Sequence, residues 1–370
     1  MSDVIRNDVF HYVSSKDVPM GFYRLCKSKP VDPKFFLPNL QVLLEPNSES
    51  LKPYFSSSVV SESLYKSIDD GDIGVISSGN MLRVILSRRA NHNTVLVTER
   101  CNNNCLFCSQ PPKFADDSGL LIQSALAIAA FDFDGLIGVS GGEPLVYGDD
   151  FLDFLHFIVE NSPKTSLHVL TNGRQFSDLA YARKVKRISD DLNITFGIPL
   201  YSSTATIHDK LVGSSGAYSE TVRGLINAGN LGINIELRII PTKQNVAELP
   251  NLVEYVNRVF SNVTQISVMG LEPIGWARKN WDEISIDNHM LMDSFRRLKD
   301  IVNRVNIPLV LFNYTKCQLP KYLWEFSVQS ISDWKNYYPI ECEKCSVKSS
   351  CAGYFSSSKG RFHQAPRPII

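Results

Sequence analysis

The stretch CNNNCLFC, residues 101–108, places three cysteines, Cys101, Cys105 and Cys108, on one short segment. A structural metal site normally closes its coordination shell with four protein ligands, so three thiols leave one position open. Three thiolates can also hold three irons of a 4Fe–4S cluster, and the fourth iron then binds a small chelating molecule. The alternative is a zinc site or structural cluster that takes its fourth ligand from elsewhere in the chain.

The composition is that of an ordinary globular protein. Of the 370 residues, 44% are apolar and 21% charged, and 38 basic residues balance 38 acidic ones. This balance gives no strong nucleic-acid signal, and no run of about 18 apolar residues predicts a membrane span. The N-terminal sequence lacks the pattern of a signal peptide. We therefore expect a cytoplasmic protein, in which clustered cysteines indicate metal ligands rather than disulfides.

Six β–α units follow one another from about residue 92, and their strands are rich in Val, Ile and Leu. Such strands are typical of parallel sheets covered on both faces. Right-handed crossovers would curl six units into a barrel or part of one. The sequence therefore predicts an α/β fold with a partial (β/α)6 barrel at 92–306. We predict a β-rich N-terminal module at 1–91 and a small cysteine-containing domain at 307–370, which a metal cluster would stabilise.

Polar and glycine-rich stretches come directly after the first four predicted strands. They are CNNNCLFC, then GGEP at 141–144, TNG at 171–173 and YSS at 201–203. Because loops at the C-terminal ends of barrel strands build the active site, we expect these four stretches to converge. The two glycines of GGEP let the backbone approach a ligand closely, beside a carboxylate, so this turn can hold an α-amino group. Taken alone, GGEP also fits a plain strand-to-helix turn.

The cysteine motif after the first strand and GGEP at the end of the second resemble the radical S-adenosylmethionine (SAM) superfamily. The resemblance covers about residues 92–306. It implies a 4Fe–4S cluster on Cys101, Cys105 and Cys108, with SAM chelated by the open iron. It also implies reductive cleavage of SAM to a 5′-deoxyadenosyl radical, which abstracts hydrogen from a substrate. Reduced flavodoxin or ferredoxin is the implied electron donor.

The resemblance further implies cofactor contacts at matching positions. These are Phe107 near the adenine, Gly141, Gly142 and Glu143 at the methionine amino group, Asn172 facing the cofactor, and the backbone of Met269 and Gly270 on the adenine side.

Two family positions differ in this chain. Pro199 and Val212 replace the serine and arginine that usually contact the ribose and carboxylate of SAM. Ser202 is then the nearest hydroxyl for the ribose. Arg238 is the best replacement cation for the carboxylate, unless it pairs with Glu236 instead. The neighbouring His208 and Asp209 are interpreted as a helix-start cap rather than as catalytic residues.

The C-terminal cysteines form a second group. Cys342, Cys345 and Cys351 have the spacing C-x2-C-x5-C, which resembles part of the SPASM and twitch auxiliary-cluster domains. Phe355 stands where the longer form has a further cysteine, so we expect one auxiliary 4Fe–4S cluster, with Cys317 as its fourth ligand. Zinc on the same four thiolates is the alternative. If Cys317 is not a ligand, an open iron could touch the substrate.

A closer resemblance joins VTERCNNNCLFCSQPPK, residues 97–113, with the short C-terminal cysteine set. Both resemble the radical SAM maturases of His-Xaa-Ser systems. This implies a ribosomally made repeat peptide as substrate and a second, paired radical SAM maturase as partner. One alternative is a radical enzyme acting on a nucleotide or another small molecule near the second cluster. A non-catalytic metal-binding scaffold is the other, although it gives no reason for GGEP.

Overall fold

The structure, a computed structural model, describes residues 11–12, 21–27, 41–46, 56–60, 62–77, 81–260, 262–329, 335–360 and 362–370. A mixed sheet near the N-terminus precedes a large parallel sheet flanked by helices, and a small two-stranded sheet lies near the C-terminus. In this part of the chain no helix has the length and apolar character needed to cross a membrane.

The N-terminal region forms a six-stranded sheet within the residues described. Its elements are β1 (His11–Tyr12), β2 (Gly21–Cys26), β3 (Gln41–Pro46), β4 (Ser56–Val60), helix α1 (Glu62–Ser67), β5 (Ile73–Ser77) and β6 (Met81–Leu86). The strand order is β1-β6-β5-β2-β3-β4. Strands β2, β3 and β4 are parallel to one another, and the other pairs are antiparallel. The predicted β-rich module is confirmed, although most of its prolines lie outside the described residues.

The central sheet contains eight strands, all parallel to their neighbours. They are β7 (Asn93–Thr98), β8 (Leu136–Gly141), β9 (Ser166–Leu170), β10 (Ile194–Pro199), β11 (Asn234–Ile239), β12 (Val263–Met269), β13 (Leu309–Phe312) and β14 (Ser327–Val328). Their spatial order follows the chain, and β7 does not pair with β14. The sheet is therefore open, as expected for a partial barrel.

Helices connect and cover these strands. They are α2 (Ser118–Phe131), α3 (Asp149–Asn161), α4 (Leu179–Ser189), α5 (Ala205–Val212), α6 (Ala217–Leu231), α7 (Leu249–Val259), α8 (Gly275–Lys279), α9 (Trp281–Ile284) and α10 (Asn288–Val302). Alternate strand residues such as Ile235, Leu237 and Ile239 pack against them in one apolar core. The side chains between these alternate positions face the interior of the barrel.

The sheet extends beyond the predicted end of the barrel. Strands β13 and β14 lie in the region predicted as a separate C-terminal domain, yet β13 pairs with β12 and β14 with β13. The prediction of six strands was therefore two short. Runs of four and two residues are too short to give a clear periodic signal. The other C-terminal strands, β15 (Asn336–Tyr337) and β16 (Tyr354–Phe355), form an antiparallel pair.

Two arginines of the N-terminal region attach it to the barrel. Arg24 Nη1 donates a hydrogen bond to the carbonyl oxygen of Ala130 at 3.0 Å, and Arg88 Nη2 donates to that of Phe131 at 2.6 Å. Both acceptors lie in the last turn of α2, where helix carbonyls have no partner within the helix. Cations at this end also favour the helix dipole. The first barrel helix is thus fixed from the N-terminal side.

Candidate active site

Residues 101–108, the cysteine loop, begin just beyond the end of β7 and lie against GGEP. Gly142 N–H donates to the carbonyl oxygen of Thr98 at 2.9 Å, and Glu143 N–H donates to that of Arg100 at 2.7 Å. A Cβ atom on Gly142 would lie 2.1 Å from the Arg100 oxygen. Only glycine allows this approach, so the backbone of GGEP packs directly against Arg100, the residue before the cysteine loop.

Two other segments hold the cysteine loop from different sides. Asn104 N–H and Leu106 N–H each donate at 2.9 Å to carbonyl oxygens at the end of α5. The residue after α5, Gly213, has φ +60°, and a Cβ there would come within 2.4 Å of the Asn104 oxygen. On the other side, Trp276 N–H donates to the carbonyl oxygen of Cys108 at 2.8 Å. These contacts fix the loop's backbone at the carboxyl edge of the sheet.

The third strand contributes Asn172 to the same place. Its side chain donates to Asn102 Oδ1 at 2.6 Å, and its backbone N–H donates to Glu143 Oε2 at 2.5 Å. Asn172 therefore joins the cysteine loop, GGEP and the end of β9. The expected convergence of CNNNCLFC, GGEP and TNG is present in the structure.

Glu143 is almost completely buried, with 2% of its surface exposed. Its carboxylate accepts hydrogen bonds from Leu145 N–H at 2.9 Å, Thr171 Oγ1 at 2.6 Å and Asn172 N–H. Burial raises the pKa of this carboxyl, while the three hydrogen bonds and the charge of Arg174 oppose the rise. A cationic amino group beside it would favour the charged carboxylate.

The three thiols of the cysteine loop are partly buried. Burial and the nearby Glu143 raise the pKa of Cys101 to about 12. Burial and the charges of its two neighbouring thiols raise the pKa of Cys105 further. Burial also raises the pKa of Cys108. The thiols therefore lie within electrostatic reach of one another, and they ionise readily only when iron replaces their protons.

The donor set fits an iron–sulfur cluster. Three thiols lie in one backbone cradle, and Gln110, two residues beyond the loop, is 5% exposed. Its Nε2 is a buried donor without a hydrogen-bond partner among the described residues. Buried donors normally have a hydrogen-bond partner, so Gln110 Nε2 is available to donate to a bound group. A 4Fe–4S cluster would take one thiolate on each of three irons.

The aromatic side of the loop is packed tightly. Phe107 contacts Tyr201 edge to face, with ring centroids 4.9 Å apart. Tyr201 N–H in turn donates to His208 Nδ1 at 3.2 Å. Burial lowers the pKa of His208 to about 4, so this imidazole is neutral at physiological pH.

The helix-start interpretation was wrong for both His208 and Asp209. Both lie within α5, whose N-cap is Thr204. The Asp209 carboxylate instead accepts hydrogen bonds, each at 2.7 Å, from Gly216 N–H and Tyr218 N–H at the start of α6. Asp209 therefore caps the following helix, and His208 packs in the core beneath Tyr201.

Ser202 does not face the predicted cofactor. Its side chain has no exposed surface, and its hydroxyl donates to Glu248 Oε2 at 2.8 Å. A hydroxyl held in this way is unavailable to a ribose, so we leave Ser202 out of the cofactor contacts proposed below. Its position directly after β10 predicted a contact with the cofactor, but the side chain is buried and bonded to Glu248.

Arg238 lies on the interior face of β11. Its guanidinium is 3.8 Å from the carboxylate of Glu236 and donates to Met269 Sδ at 2.8 Å. His168 Nε2 contacts the same carboxylate at 2.6 Å. Burial disfavours the charge of Glu236, but the His168 hydrogen bond and Arg238 outweigh burial and hold its pKa at about 2. The ion pair considered from the sequence is present, and Arg238 keeps further N–H donors facing the interior.

Met269 and Gly270 end β12 beside the next strand. Gly270 N–H donates to the carbonyl oxygen of Phe312 at 2.9 Å, and a Cβ on Gly270 would lie 2.7 Å from the Asn313 oxygen. The two residues lie at the same carboxyl edge as the cysteine loop. Close packing against β13 accounts for the glycine.

The four C-terminal cysteines line one small cavity, here called the four-cysteine cavity. Burial and the charges of the other three thiols, with Cys317 the strongest, raise the pKa of Cys342. Lys316 N–H also lies 3.4 Å from Cys351 Sγ, and Ile369 N–H lies 3.5 Å from Cys345 Sγ. The structure thus brings Cys317 to the C-x2-C-x5-C segment. The cysteines that line the four-cysteine cavity are Cys317, Cys342, Cys345 and Cys351.

Neither cysteine group is arranged around a single ion. In the parts of the chain described, no three cysteine, histidine or acidic side chains lie close enough together to hold one metal ion. Zinc needs all its thiolates about 2.3 Å from a single atom. A 4Fe–4S cluster binds each thiolate to a different iron and spreads its ligands more widely.

Comparison with known families identifies the class of protein. Residues 95–256 match the sequence model of the Radical SAM superfamily. Residues 95–256 therefore carry a radical SAM domain, and this match covers β7 to α7 with the cysteine loop and GGEP.

Two curated relatives each match about half of this chain. The chain is 25% identical over 203 residues to a probable GTP 3′,8-cyclase of Pyrobaculum aerophilum, covering 51% of this chain and 60% of the relative. It is 23% identical over 193 residues to the PqqA peptide cyclase of Granulibacter bethesdensis, covering 51% of this chain and 49% of the relative. Among solved structures, SuiB of Streptococcus suis bound to SAM has a TM-score of 0.46 at 15% identity, covering 63% of this chain and 52% of SuiB. The chain thus spans about half the length of the proteins it matches.

Two features of the site were not predicted from the sequence. The contact between the end of α5 and the cysteine loop was missed because an eight-residue helix gives a weak signal. Arg174, which hydrogen-bonds to the cysteine loop, was also missed. Its place directly after TNG was the available clue.

Proposed function

We propose that this radical SAM enzyme binds its 4Fe–4S cluster through Cys101, Cys105 and Cys108 and modifies a peptide. The observation that carries the proposal is the backbone contact of GGEP with Thr98 and Arg100, directly before the cysteine loop, which puts three thiols near a buried carboxylate. When bound, the cluster and SAM supply an electron and a 5′-deoxyadenosyl radical that abstracts hydrogen from the substrate. The chain's own residues bind, orient and shield these groups.

Each cofactor contact in the proposal has a physical role. Gly141 and Gly142 bring backbone atoms close to the SAM amino group, and Glu143 accepts its hydrogen bonds. Asn172 holds the edge of the same pocket. Arg238 offers a guanidinium to a carboxylate, for which its planar fork is suited.

The adenine side is proposed at the opposite edge of the site. Phe107, held by Tyr201, provides an apolar surface for a ring. The backbone of Met269 and Gly270 provides polar contacts at the end of β12. Together these groups would exclude water from the bond that breaks.

A second 4Fe–4S cluster is proposed in the four-cysteine cavity. Four thiols line this cavity, which is enough to close the coordination of a cluster. On this proposal Cys317 is the fourth ligand, so the auxiliary cluster has no open iron. Its contribution to stability fits the C-terminal region, where β15 and β16 are only two residues long.

The charges on the interior wall of the barrel favour a peptide substrate over a nucleoside triphosphate. The side chains of β7–β13 that alternate with the core-facing ones include one arginine, one glutamate and one histidine as their ionisable members: Arg238, Glu236 and His168. The positive charge of Arg238 and the negative charge of Glu236 cancel. A triphosphate carries several negative charges and calls for a cluster of cations. A largely neutral peptide segment needs no such cluster.

The remaining parts of the proposal follow from the resemblance to His-Xaa-Ser maturases. The substrate would be a ribosomally made repeat peptide, processed with a paired radical SAM maturase. Reduced flavodoxin or ferredoxin would donate electrons in the cytoplasm. The relative named PqqA peptide cyclase supports a peptide. The relative named GTP 3′,8-cyclase supports the alternative, a nucleotide bound near the second cluster.

The deciding experiment offers both substrates to the same protein. Anaerobically reconstituted enzyme receives SAM, dithionite and either a synthetic His-Xaa-Ser repeat peptide or GTP. We expect the peptide to stimulate 5′-deoxyadenosine formation and to change in mass, with GTP unchanged. Consumption of GTP without change in the peptide would contradict the peptide proposal and favour the nucleotide alternative.

A further inference from the structure

Arg174 connects the third strand directly to the cysteine loop. It follows Gly173, whose φ of +73° turns the chain at the end of TNG. The side chain is 13% exposed. Its Nη1 donates to the carbonyl oxygen of Asn102 at 2.8 Å and to Asn103 Oδ1 at 2.6 Å. One guanidinium thus holds two consecutive residues between the first two cysteines.

The opposite side of the guanidinium is held by α6 and the turn before it. Arg174 Nε donates to Glu220 Oε2 at 2.6 Å, and Nη1 also lies 3.0 Å from Ser214 Oγ. An arginine with partners on both sides keeps a fixed orientation, because its donors form a rigid plane. Lysine cannot reproduce this arrangement.

The contacts of Arg174 continue to a cluster ligand. Asn103 is 4% exposed, and its backbone N–H lies 3.4 Å from Cys101 Sγ as a hydrogen-bond donor. Arg174 therefore fixes the residue that donates to this sulfur. Hydrogen bonds to sulfur and nearby charges set the potential of iron–sulfur clusters.

We propose that Arg174 is a positioning residue that fixes the cysteine loop and raises the reduction potential of the cluster on it. The inference rests on the proposed function, which assigns that cluster to Cys101, Cys105 and Cys108. A cluster gains negative charge on reduction, so a fixed cation nearby stabilises the reduced form. Glu220 moderates this effect because its carboxylate pairs with the same guanidinium.

The test is a redox titration of reconstituted protein followed by electron paramagnetic resonance. The signal that changes when SAM is added identifies the cluster of the cysteine loop. The variants are Arg174→Gln, which removes the charge, and Glu220→Gln, which removes its counter-charge without touching the loop. Lys184→Gln is the matched control, since Lys184 is an exposed cation on α4 paired with Asp149. Iron content and thermal unfolding of the metal-free protein are measured for each variant.

Opposite shifts are expected from the two charge changes. Arg174→Gln should lower the midpoint potential, Glu220→Gln should raise it, and Lys184→Gln should leave it unchanged. Wild-type potentials in both Arg174→Gln and Glu220→Gln, with full iron, would overturn the inference while leaving the proposed function intact. If Arg174→Gln loses its iron, Glu220→Gln decides: a raised potential supports the inference, and a wild-type potential overturns it. Wild-type protein without a cluster on the three cysteines would overturn the proposed function itself.

Discussion

Gly142 lies so close to Arg100 that a Cβ atom on the glycine would stand 2.1 Å from the arginine's carbonyl oxygen. We therefore expect Gly142→Ala to push GGEP away from the cysteine loop. Overpacking of this kind costs about 1–3 kcal/mol. SAM affinity of the cluster-loaded protein, measured by calorimetry, should fall about tenfold, which corresponds to about 1.4 kcal/mol.

Gly119→Ala is the matched control, because nothing lies within 4 Å of a Cβ at Gly119. It lies at the start of α2, where alanine favours the helix. Its SAM affinity should equal that of the wild type. Unchanged affinity in Gly142→Ala would show that GGEP does not hold SAM.

Cys317 tests the auxiliary cluster. If it closes the coordination in the four-cysteine cavity, Cys317→Ala should lower the iron content of reconstituted protein from about eight to about four per chain. The remaining iron should still support SAM cleavage. Cys26→Ala is the control, since Cys26 lies buried on β2 and should not bind iron. Because three thiolates can also hold a cluster, retention of about eight irons together with the wild-type electron paramagnetic resonance spectrum in Cys317→Ala would remove Cys317 from the ligand set.

His208 should make the metal-free protein less stable in acid. Its folded pKa of about 4 lies below the ordinary value of 6.5, because burial disfavours the charged imidazole. Between these two pH values the unfolded chain binds a proton that the folded chain does not. The free energy of unfolding therefore falls as pH drops from about 6.5 to about 4, by an amount on the order of 3 kcal/mol.

Urea unfolding of wild type and His208→Gln at several pH values tests this linkage. Glutamine can still accept a hydrogen bond from Tyr201 N–H but does not titrate. The difference in unfolding free energy between the two proteins should shrink or reverse in favour of the variant as pH falls. A difference independent of pH would show that His208 does not cause the acid sensitivity.

Arg238 tests the contact with the SAM carboxylate. Arg238→Gln should weaken SAM binding about tenfold or more, because a charged hydrogen bond contributes about 1.5–3 kcal/mol. Decarboxylated SAM lacks the carboxylate, so its affinity should change much less. The two affinities are compared in cluster-loaded protein. Equal losses for both ligands would place the role of Arg238 elsewhere, for example in holding Glu236.

The barrel was predictable from the sequence because its strands are long apolar runs separated by clear helices. The sequence predicts strands at 93–99 and 194–201, and β7 and β10 lie within two residues of these bounds. The short strands β13 and β14 were not predicted, since their pairing depends on the neighbouring β12 rather than on their own pattern.

The candidate site was predictable where its residues form a motif of neighbouring residues. It was less predictable where residues distant in sequence meet only on folding. The cysteines, GGEP and Asn172 converge as expected. The burial of Ser202 and the hydrogen bonds of Arg174 to the cysteine loop depend on how the chain turns after each strand. The partner of Arg238 could be named as Glu236, but the contribution of His168 comes from a separate strand.

The most direct test of the account compares wild type with a Cys101→Ala/Cys105→Ala/Cys108→Ala triple variant. Both are reconstituted anaerobically, analysed for iron and sulfide, reduced with dithionite and assayed for 5′-deoxyadenosine from SAM. We predict about eight irons in the wild type and about four in the variant, with 5′-deoxyadenosine from the wild type alone. Equal iron content in the two proteins, or 5′-deoxyadenosine from the triple variant, would contradict the assignment of the cluster to these cysteines.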